Sequence, residues 1–234
     1  MKKAAFWLGA LCAAAAASAQ AAVPDFSGTW QVMDPPAALR TVEGAAPPLL
    51  AAASTTYADN QKARAAHDLT FDTTTRCLPP GVPRIMYMST PFEILQRDKY
   101  LFMLFQYQHL NRQVFFREQH ESMPLGPRYL GDSIAHWDGD TLVVDTTGLK
   151  PDTLLDASGL PHSNKLHVVE RYTLEDGGKR LRDVIRIEDP KTFEKSWQTS
   201  VTFRRLHGVS IQEDVCTDRD PGWLKAMLKA NYYE

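Results

Sequence analysis

The chain has 234 residues, of which 44% are hydrophobic, and its formal net charge at pH 7 is −2. An acidic chain with no dense basic stripe is poorly suited to binding nucleic acid. Beyond the N-terminal segment no stretch approaches the ~20 consecutive apolar residues of a membrane helix, and the length fits one large domain.

Residues 1–22 have the pattern of a cleaved secretory signal peptide. Lys2 and Lys3 form a basic start, an apolar run follows over 4–17, and small residues then supply a cleavage site. Cleavage removes both lysines, moves the formal charge from −2 to −4, and leaves 23–234 as a single domain. This signal is typical of bacteria, so we expect a periplasmic or secreted protein.

The first folded segments predict a strand followed by a helical insert. Residues 26–32 alternate apolar and polar side chains, which indicates a strand. A connector rich in proline, alanine and glycine follows. The alanine-rich stretch 49–67 contains no helix breaker and predicts a helix. Residues 76–84, RCLPPGVPR, predict a rigid loop because they hold three prolines and a glycine.

The rest of the chain reads as successive hairpins. They cover 92–108 with a turn at 97–99, a further strand at 110–118, and hairpins at 132–148, 166–189 and 196–215. The last of these would turn near His207, and a short helix is predicted over 221–234. Without βαβ spacing, nine or ten such strands predict an antiparallel meander, and closing it into a barrel removes the exposed edges.

Two resemblances follow from short motifs. Gly28 and Trp30 in FSGTW resemble the G-x-W start of lipocalin-like (calycin) barrels, in which the Trp plugs one end and the other end opens to a hydrophobic ligand. The blocks CLPPGVPR, WDGDTLVVDTTG, PHSNKLHVVER and IEDPKTF, with the final VC, resemble a group of exported bacterial proteins without an established common activity. Together these imply a lipocalin-like β-barrel with a helical insert and a C-terminal helix.

Glu170 is the first candidate for a catalytic side chain. Strand alternation places it on one face with the apolar Leu166, Val168 and Tyr172, whereas Arg171 faces the other way. A carboxylate on an apolar face is either paired with an arginine of a neighbouring strand, or it has a raised pKa and suits a general acid or base. Both interpretations stay open.

The other catalytic candidates are His162, His136 and an arginine. His162 lies in a loop before the strand of Glu170, and loops at a barrel mouth often carry function; no G-x-S-x-G elbow supports a serine hydrolase there. His136 shares a strand face with Asp132, a substrate-binding candidate, and would act as a base unless it is only a half-exposed histidine beside a turn. Arg171 or Arg112 would stabilise developing negative charge.

An aromatic-lined pocket is the predicted binding site. Phe105 and Tyr107 continue an apolar strand face, and His109 follows the same parity if the strand persists. With Arg112 and Trp197 they would line a pocket for a flat apolar ligand. The alternative is a packed core edge whose polar tips reach the surface.

No metal or cofactor is expected. His162 and His167 are five residues apart, which would put them on opposite faces of one strand. Because His162 lies in a loop, a metal site that it shares with Glu170 or His136 is the alternative. The sequence holds no H-E-x-x-H motif, no twelve-residue calcium loop, no dinucleotide or phosphate loop and no haem-attachment motif. The two cysteines beyond the signal, Cys77 and Cys216, are predicted to form a disulfide in an oxidising compartment, with two separate buried thiols as the alternative.

These observations predict an exported, cofactor-independent lyase, hydratase or isomerase. It would use acid–base chemistry on an apolar, aromatic small molecule such as a lignin fragment. The alternative is a periplasmic lipocalin-like carrier for a hydrophobic ligand. Either way the expected partner is a small molecule, with no nucleic acid and no membrane span.

Overall fold

The computed structural model describes residues 23–216, which form a closed barrel of nine strands. The predicted signal peptide and C-terminal helix lie outside the described residues. The strands are β1 (Gly28–Met33), β2 (Phe92–Gln96), β3 (Tyr100–Phe105), β4 (Asn111–Phe115), β5 (Asp132–Asp138), β6 (Thr141–Thr147), β7 (His167–Glu175), β8 (Arg180–Glu188) and β9 (Trp197–Leu206). Helix α1 (Ala51–Ala65) follows β1. The predicted lipocalin-like barrel with a helical insert is confirmed.

Neighbouring strands follow each other in chain order, and β9 pairs with β1 to close the barrel. Eight of the nine contacts are antiparallel, as the meander predicts, but β4 and β5 run parallel through Val114 and Phe115. The sixteen-residue segment 116–131 between them is long enough to return the chain to the end at which β4 began. The barrel is therefore mixed.

The predicted hairpin over 196–215 is wrong in its second half. β9 already pairs with β8 on one side and β1 on the other, so no free edge is left for another strand. The segment 207–216 instead runs irregularly along the outside of the barrel. Thr29 donates a hydrogen bond to the carbonyl of Val209 at 3.1 Å, and the amide of Gln108 donates to Asp214 at 2.7 Å.

One end of the barrel is closed by Trp30. Its indole is fully buried and donates a hydrogen bond of 2.9 Å to the carbonyl of Phe26. The guanidinium of Arg205, from the end of β9, lies 4.2 Å from the indole centroid. Arg205 also donates to the carbonyls of Gly178 and Ser27, so it ties three segments across this end. We call this the tryptophan end.

The opposite end is covered by three connecting segments, which we call the cap. They are residues 34–91, 148–166 and 189–196. Hydrogen bonds join them into one body: the Leu39 amide donates to Asp156 at 2.9 Å, and the Ser163 amide donates to Asp189 at 2.6 Å. Apolar cap residues belong to the same core cluster as the barrel interior: Val82, Ile85, Met86, Leu155 and Leu160.

Helix α1 lies on the outside of the cap and buries none of its residues. Three side chains anchor it to the 157–159 turn. Tyr57 and Ser158 share a 2.6 Å hydrogen bond, Asn60 donates to the carbonyl of Gly159 at 2.8 Å, and Arg64 donates to that of Ala157 at 2.9 Å. The predicted helix therefore forms, but tertiary hydrogen bonds rather than an apolar face hold it in place.

Cys77 and Cys216 are joined in a disulfide, which confirms the predicted pairing. Cys77 belongs to the cap, and Cys216 ends the outer segment 207–216. The bond closes a span of 139 residues. It fastens the chain beyond β9 to the cap, and it is compatible with an oxidising compartment.

Candidate functional site

The inside of the barrel is apolar apart from one polar cluster. Along β7, β8 and β9 buried residues recur at every second position, so interior side chains are identified by parity and burial. Most are aliphatic or aromatic. The polar ones that are at most 2% exposed come from five neighbouring strands, β4 to β8, and are Arg112, Ser133, Thr146, Glu170, Tyr172 and Asp183. Thr199 of β9 is a further polar residue of the interior face and is 5% exposed.

Arg112 of β4 and Glu170 of β7 form the centre of this cluster. The guanidinium binds the carboxylate with two hydrogen bonds, Nη1 to Oε1 at 3.0 Å and Nη2 to Oε2. Arg112 also donates to Ser133 at 3.2 Å and to Thr146 at 2.8 Å, while Tyr172 donates to Glu170 at 2.6 Å. Bidentate geometry and these extra bonds are what a buried ion pair needs to persist.

Asp183 of β8 lies next to this pair and is not compensated by it. It faces Tyr172 across the β7–β8 ladder, but the Tyr172 hydroxyl is hydrogen-bonded to Glu170. Neither carboxyl oxygen of Asp183 has a hydrogen-bond partner of acceptable geometry among the described residues. Burial raises the pKa of Asp183 well above its usual range, and the nearby charge of Glu170 adds to the rise. Burial therefore favours the neutral, protonated form of this carboxyl group.

Two more buried polar groups lie unpaired toward the cap. The hydroxyl of Tyr87, on the cap's 3₁₀ turn Arg84–Tyr87, has no hydrogen-bond partner among the described residues. Burial and the charges of Asp156 and Glu170 raise the pKa of Tyr87, whereas the charge of Arg84 lowers it. The indole N–H of Trp197, at the start of β9, is likewise unpaired.

Aromatic rings form one wall of the interior. Phe92 of β2 stacks on Phe105 at 5.3 Å between centroids, and it meets Phe203 edge-on at 5.2 Å. Trp197 meets Phe193 edge-on at 5.4 Å near the cap. Trp197 also lies in the wall of a surface cleft of about 600 Å³ between residues 41–48 and 195–198. Tyr107 is buried beyond the end of β3.

His162 is buried inside the cap. Its Nε2 shares a 2.8 Å hydrogen bond with Thr153, and its Nδ1 lies 2.9 Å from the carbonyl of Ser163. Burial lowers the pKa of His162, more than the nearby Asp189 raises it. The imidazole is therefore neutral near pH 7, and both ring nitrogens are occupied by partners in the cap itself. Its hydrogen bonds do not join it to Glu170.

Three sequence candidates lie on the outer face of the barrel. His136 is exposed, and Arg171 forms a 2.7 Å ion pair with Asp138 beside the β5–β6 turn. Asp132 is buried under the 116–131 segment, where His120 binds it at 2.8 Å. Interior positions of β5 have the opposite parity, so neither His136 nor Asp132 faces the barrel interior.

The outer face carries a chain of histidines and carboxylates. His120 bridges Asp132 to Asp145 at 3.0 Å, and Nε2 of His167 lies 2.9 Å from both oxygens of Asp145. The hydrogen bond that His167 donates to Asp145 raises the pKa of His167, although partial burial opposes it. This network holds the 116–131 segment against β5 to β7. It is structural in character, because each histidine contacts carboxylates of the barrel wall.

His109 departs from the predicted parity. β3 ends at Phe105, and the chain turns through Gln108 and His109, which both have positive φ angles of 52° and 50°. The exposed His109 ring therefore contacts the carbonyl of Gln212 at 3.0 Å on the outer segment.

The sequence analysis did not single out Asp183, although the same signal was present. Leu181, Asp183, Ile185 and Ile187 alternate with charged or β-branched residues. Parity therefore places this carboxylate on an apolar face, as it does Glu170. Tyr87 had no such signal, because it lies in an irregular segment without periodicity.

Within residues 23–216 no helix is long and apolar enough to cross a membrane. The same residues contain no group of three or more His, Cys, Asp or Glu arranged to hold a metal ion.

No protein-family model matches the chain, and no curated protein matches it significantly. Solved structures that it resembles include secretory abundant heat soluble protein 4 from Ramazzottius varieornatus, at 11% identity and a TM-score of 0.37 over 78% of this chain and 95% of that one. A mutant of the fluorescent protein UnaG matches at 15% identity and a TM-score of 0.36 over 78% and 96%. Likenesses this distant say nothing about what the chain binds.

Proposed function

We propose that the protein binds a small, mainly apolar molecule inside the barrel, between the tryptophan end and the cap. One observation carries this proposal: fully buried polar groups, Asp183 and Tyr87, lie unpaired around a compensated ion pair in an apolar interior. An unpaired buried polar group typically destabilises a fold by about 1–3 kcal/mol. A ligand that completes their hydrogen bonds explains why these two groups are buried without partners.

The aromatic wall supports the same proposal. Phe92, Phe105 and Phe203 offer flat apolar surface beside the polar cluster, and aromatic rings pack well against aromatic ligands. The ligand therefore has an aromatic or otherwise flat apolar body and a smaller polar group. Compounds of the lignin-fragment type fit this description.

The experiment is titration with Nile red, an uncharged dye whose emission depends on solvent polarity, combined with amide chemical-shift mapping. Saturable binding that perturbs Tyr172, Asp183 and Val201 supports the interior site. Perturbation confined to the surface cleft at 41–48 and 195–198, or no saturable binding, contradicts the interior site. Ordered water would then be the partner of the unpaired polar groups.

Two neighbouring positions on β9 give a matched pair of variants. Val201 faces inward opposite Asp183, whereas Thr202 faces outward. Val201→Phe should weaken Nile red binding at least about tenfold by occupying the space, and Thr202→Phe should leave it unchanged. Circular dichroism and urea unfolding establish that both variants are folded.

Acid–base catalysis in the same interior is the second candidate function. A neutral Asp183 beside the ion-paired Glu170 gives two carboxyl groups in contrasting environments, which is how acid and base roles are separated in enzymes. In this version Asp183 donates the proton to the substrate, with lyase or isomerase chemistry as the reaction class. His162 and Arg171, engaged in the cap and on the outer face, have positioning or structural roles.

The enzyme and the carrier make different predictions for Asp183→Asn. The variant keeps the shape and a hydrogen-bonding group. Loss of turnover with unchanged ligand affinity in the variant supports catalysis. If the wild type shows no turnover and the variant binds ligand as tightly as the wild type does, the carrier is supported.

We also propose that residues 1–22 are removed on export, which leaves a single barrel domain over 23–234. The Cys77–Cys216 disulfide supports an oxidising destination. Mass spectrometry of the protein recovered from a bacterial periplasm tests this. A mature N-terminus near Ala22 is expected, and an intact Met1 start would contradict the proposal.

A further inference from the structure

The charges inside the barrel restrict the kind of ligand that it accepts. The charges of Arg112 and Glu170 compensate each other through a bidentate contact. Neither charge is therefore available to pair with an ionised ligand. Neither carboxyl oxygen of Asp183 has a hydrogen-bond partner among the described residues, and burial raises the pKa of this group, which favours its uncharged form. The other interior positions of β7 and β8 are apolar or carry the Tyr172 hydroxyl. The interior therefore has no net charge.

An anionic ligand would meet no available counter-charge in this space. Arg112 already makes four hydrogen bonds, to Ser133, to Thr146 and twice to Glu170. A second carboxylate beside Glu170 would add like-charge repulsion in a place where water does not screen it. Fatty-acid-like ligands are thereby disfavoured.

A cationic ligand would have to ionise Asp183. That exchange buries two new charges, and the loss of their hydration generally offsets their attraction in a protein interior. A neutral ligand avoids this, since a protonated Asp183 can donate one hydrogen bond and accept another.

We propose that the interior site selects uncharged ligands whose polar end is a hydroxyl or carbonyl group, held by Asp183. This inference rests on the proposed binding function and names its ligand class.

The test compares three naphthalene derivatives that differ only in their charged or neutral end group. 2-Naphthalenemethanol is neutral, 2-naphthoate is an anion and 2-naphthylmethylammonium is a cation at pH 7. Each is titrated against the protein with bound Nile red. The alcohol should displace the dye at a concentration at least about tenfold lower than either ion does.

The same acid in two protonation states provides an internal control. 2-Naphthoate should compete poorly at pH 7 and approach the alcohol at pH 4, where much of it is neutral. Equal or tighter binding of the anion or the cation at pH 7 overturns the inference and leaves the binding function standing. Failure of all three to displace bound Nile red also overturns it, whereas failure of Nile red itself to bind overturns the binding function.

Variants on β8 assign the selectivity to a residue. Asp183→Leu should reduce the alcohol's affinity at least about fivefold and abolish its advantage over 2-naphthoate. Arg182→Gln, the outward-facing neighbour, should change neither. Asp183→Asn, which keeps a donor and an acceptor, should retain most of the affinity. Unaltered selectivity in a folded Asp183→Leu protein contradicts the assignment.

Discussion

Two inward carboxyl groups, equally buried on adjacent strands, should respond in opposite ways to the same chemical change. Glu170→Gln removes the negative charge that compensates Arg112 and leaves an unpaired cation inside the barrel. Breaking a buried ion pair in this way destabilises a protein by about 3–5 kcal/mol. Asp183→Asn removes no charge from the folded state, because Asp183 is already neutral there.

The structure sets the size of the Glu170 effect. Glu170 accepts two hydrogen bonds from Arg112 and one from Tyr172, and both residues of the pair are at most 1% exposed. A glutamine offers one acceptor oxygen in place of two, and its amide group meets a donor. With an m-value of about 3 kcal/mol/M in urea, a loss of 3–5 kcal/mol lowers the unfolding midpoint by about 1–2 M.

The Asp183 variant carries a distinct dependence on pH. In the wild type the pKa of Asp183 is raised in the folded state. The contribution of this group to the free energy of unfolding is therefore fully present below the unfolded pKa of about 3.9 and declines as pH rises toward the folded pKa. Asp183→Asn abolishes that decline. Its unfolding free energy should match the wild type near pH 4 and exceed it at pH 7.

Urea unfolding followed by tryptophan fluorescence at pH 4 and pH 7 measures both effects. The reasoning about charge compensation is refuted if Glu170→Gln shifts stability by less than about 1 kcal/mol, since Arg112 would then be stabilised by something other than this pair. A large destabilisation by Asp183→Asn at pH 7 would show that Asp183 is ionised and paired.

Three further predictions concern the outer parts of the molecule. Replacing Cys77 and Cys216 by serine should lower the unfolding free energy by about 4–5 kcal/mol, because the disulfide closes a span of 139 residues; a urea midpoint equal to that of the oxidised wild type would contradict this. In an NMR titration His167 should have a pKa above 6.5, and Asp145→Asn should lower that pKa. Because the pKa of His167 is raised in the folded state, the stabilisation that its contact with Asp145 gives the fold is present below pH 6.5 and is lost as pH rises through the folded pKa. Arg205→Gln should destabilise the tryptophan end by about 1–2 kcal/mol through loss of its contact with the indole and of two carbonyl hydrogen bonds, and an unchanged melting temperature would argue against that role.

Periodicity within single segments predicted much of the barrel. The alternation in 166–174 placed Glu170 on the buried face and Arg171 on the exposed face, and both placements agree with the structure. The turn at Asp138–Gly139 could also be predicted from these two residues alone, because only a few residue types adopt its backbone angles. The parity argument for His109 held only if the strand continued, and β3 ends at Phe105, so parity does not place His109.

The interior partners could not be read from the sequence. Arg112 and Glu170 are 58 residues apart in the sequence. Their contact depends on the parallel pairing of β4 with β5, which no sequence motif predicts. The sequence left open whether the face of His136 is inside or outside, because an alternating strand has two faces and only the surrounding barrel decides which one is inside. Here the interior face of β5 holds Ser133 and Ala135.

What the sequence determined by itself was short-range: which segments extend, where they turn, and that a carboxylate lies on an apolar strand face. Backbone geometry and side-chain alternation act over a few residues, so they are visible in the chain. Only the tertiary structure decided that Glu170 is neutralised while Asp183 is not, because charge compensation depends on which strands become neighbours when the barrel closes. The cap has the same origin, since three separate irregular segments meet only once the strands are in place.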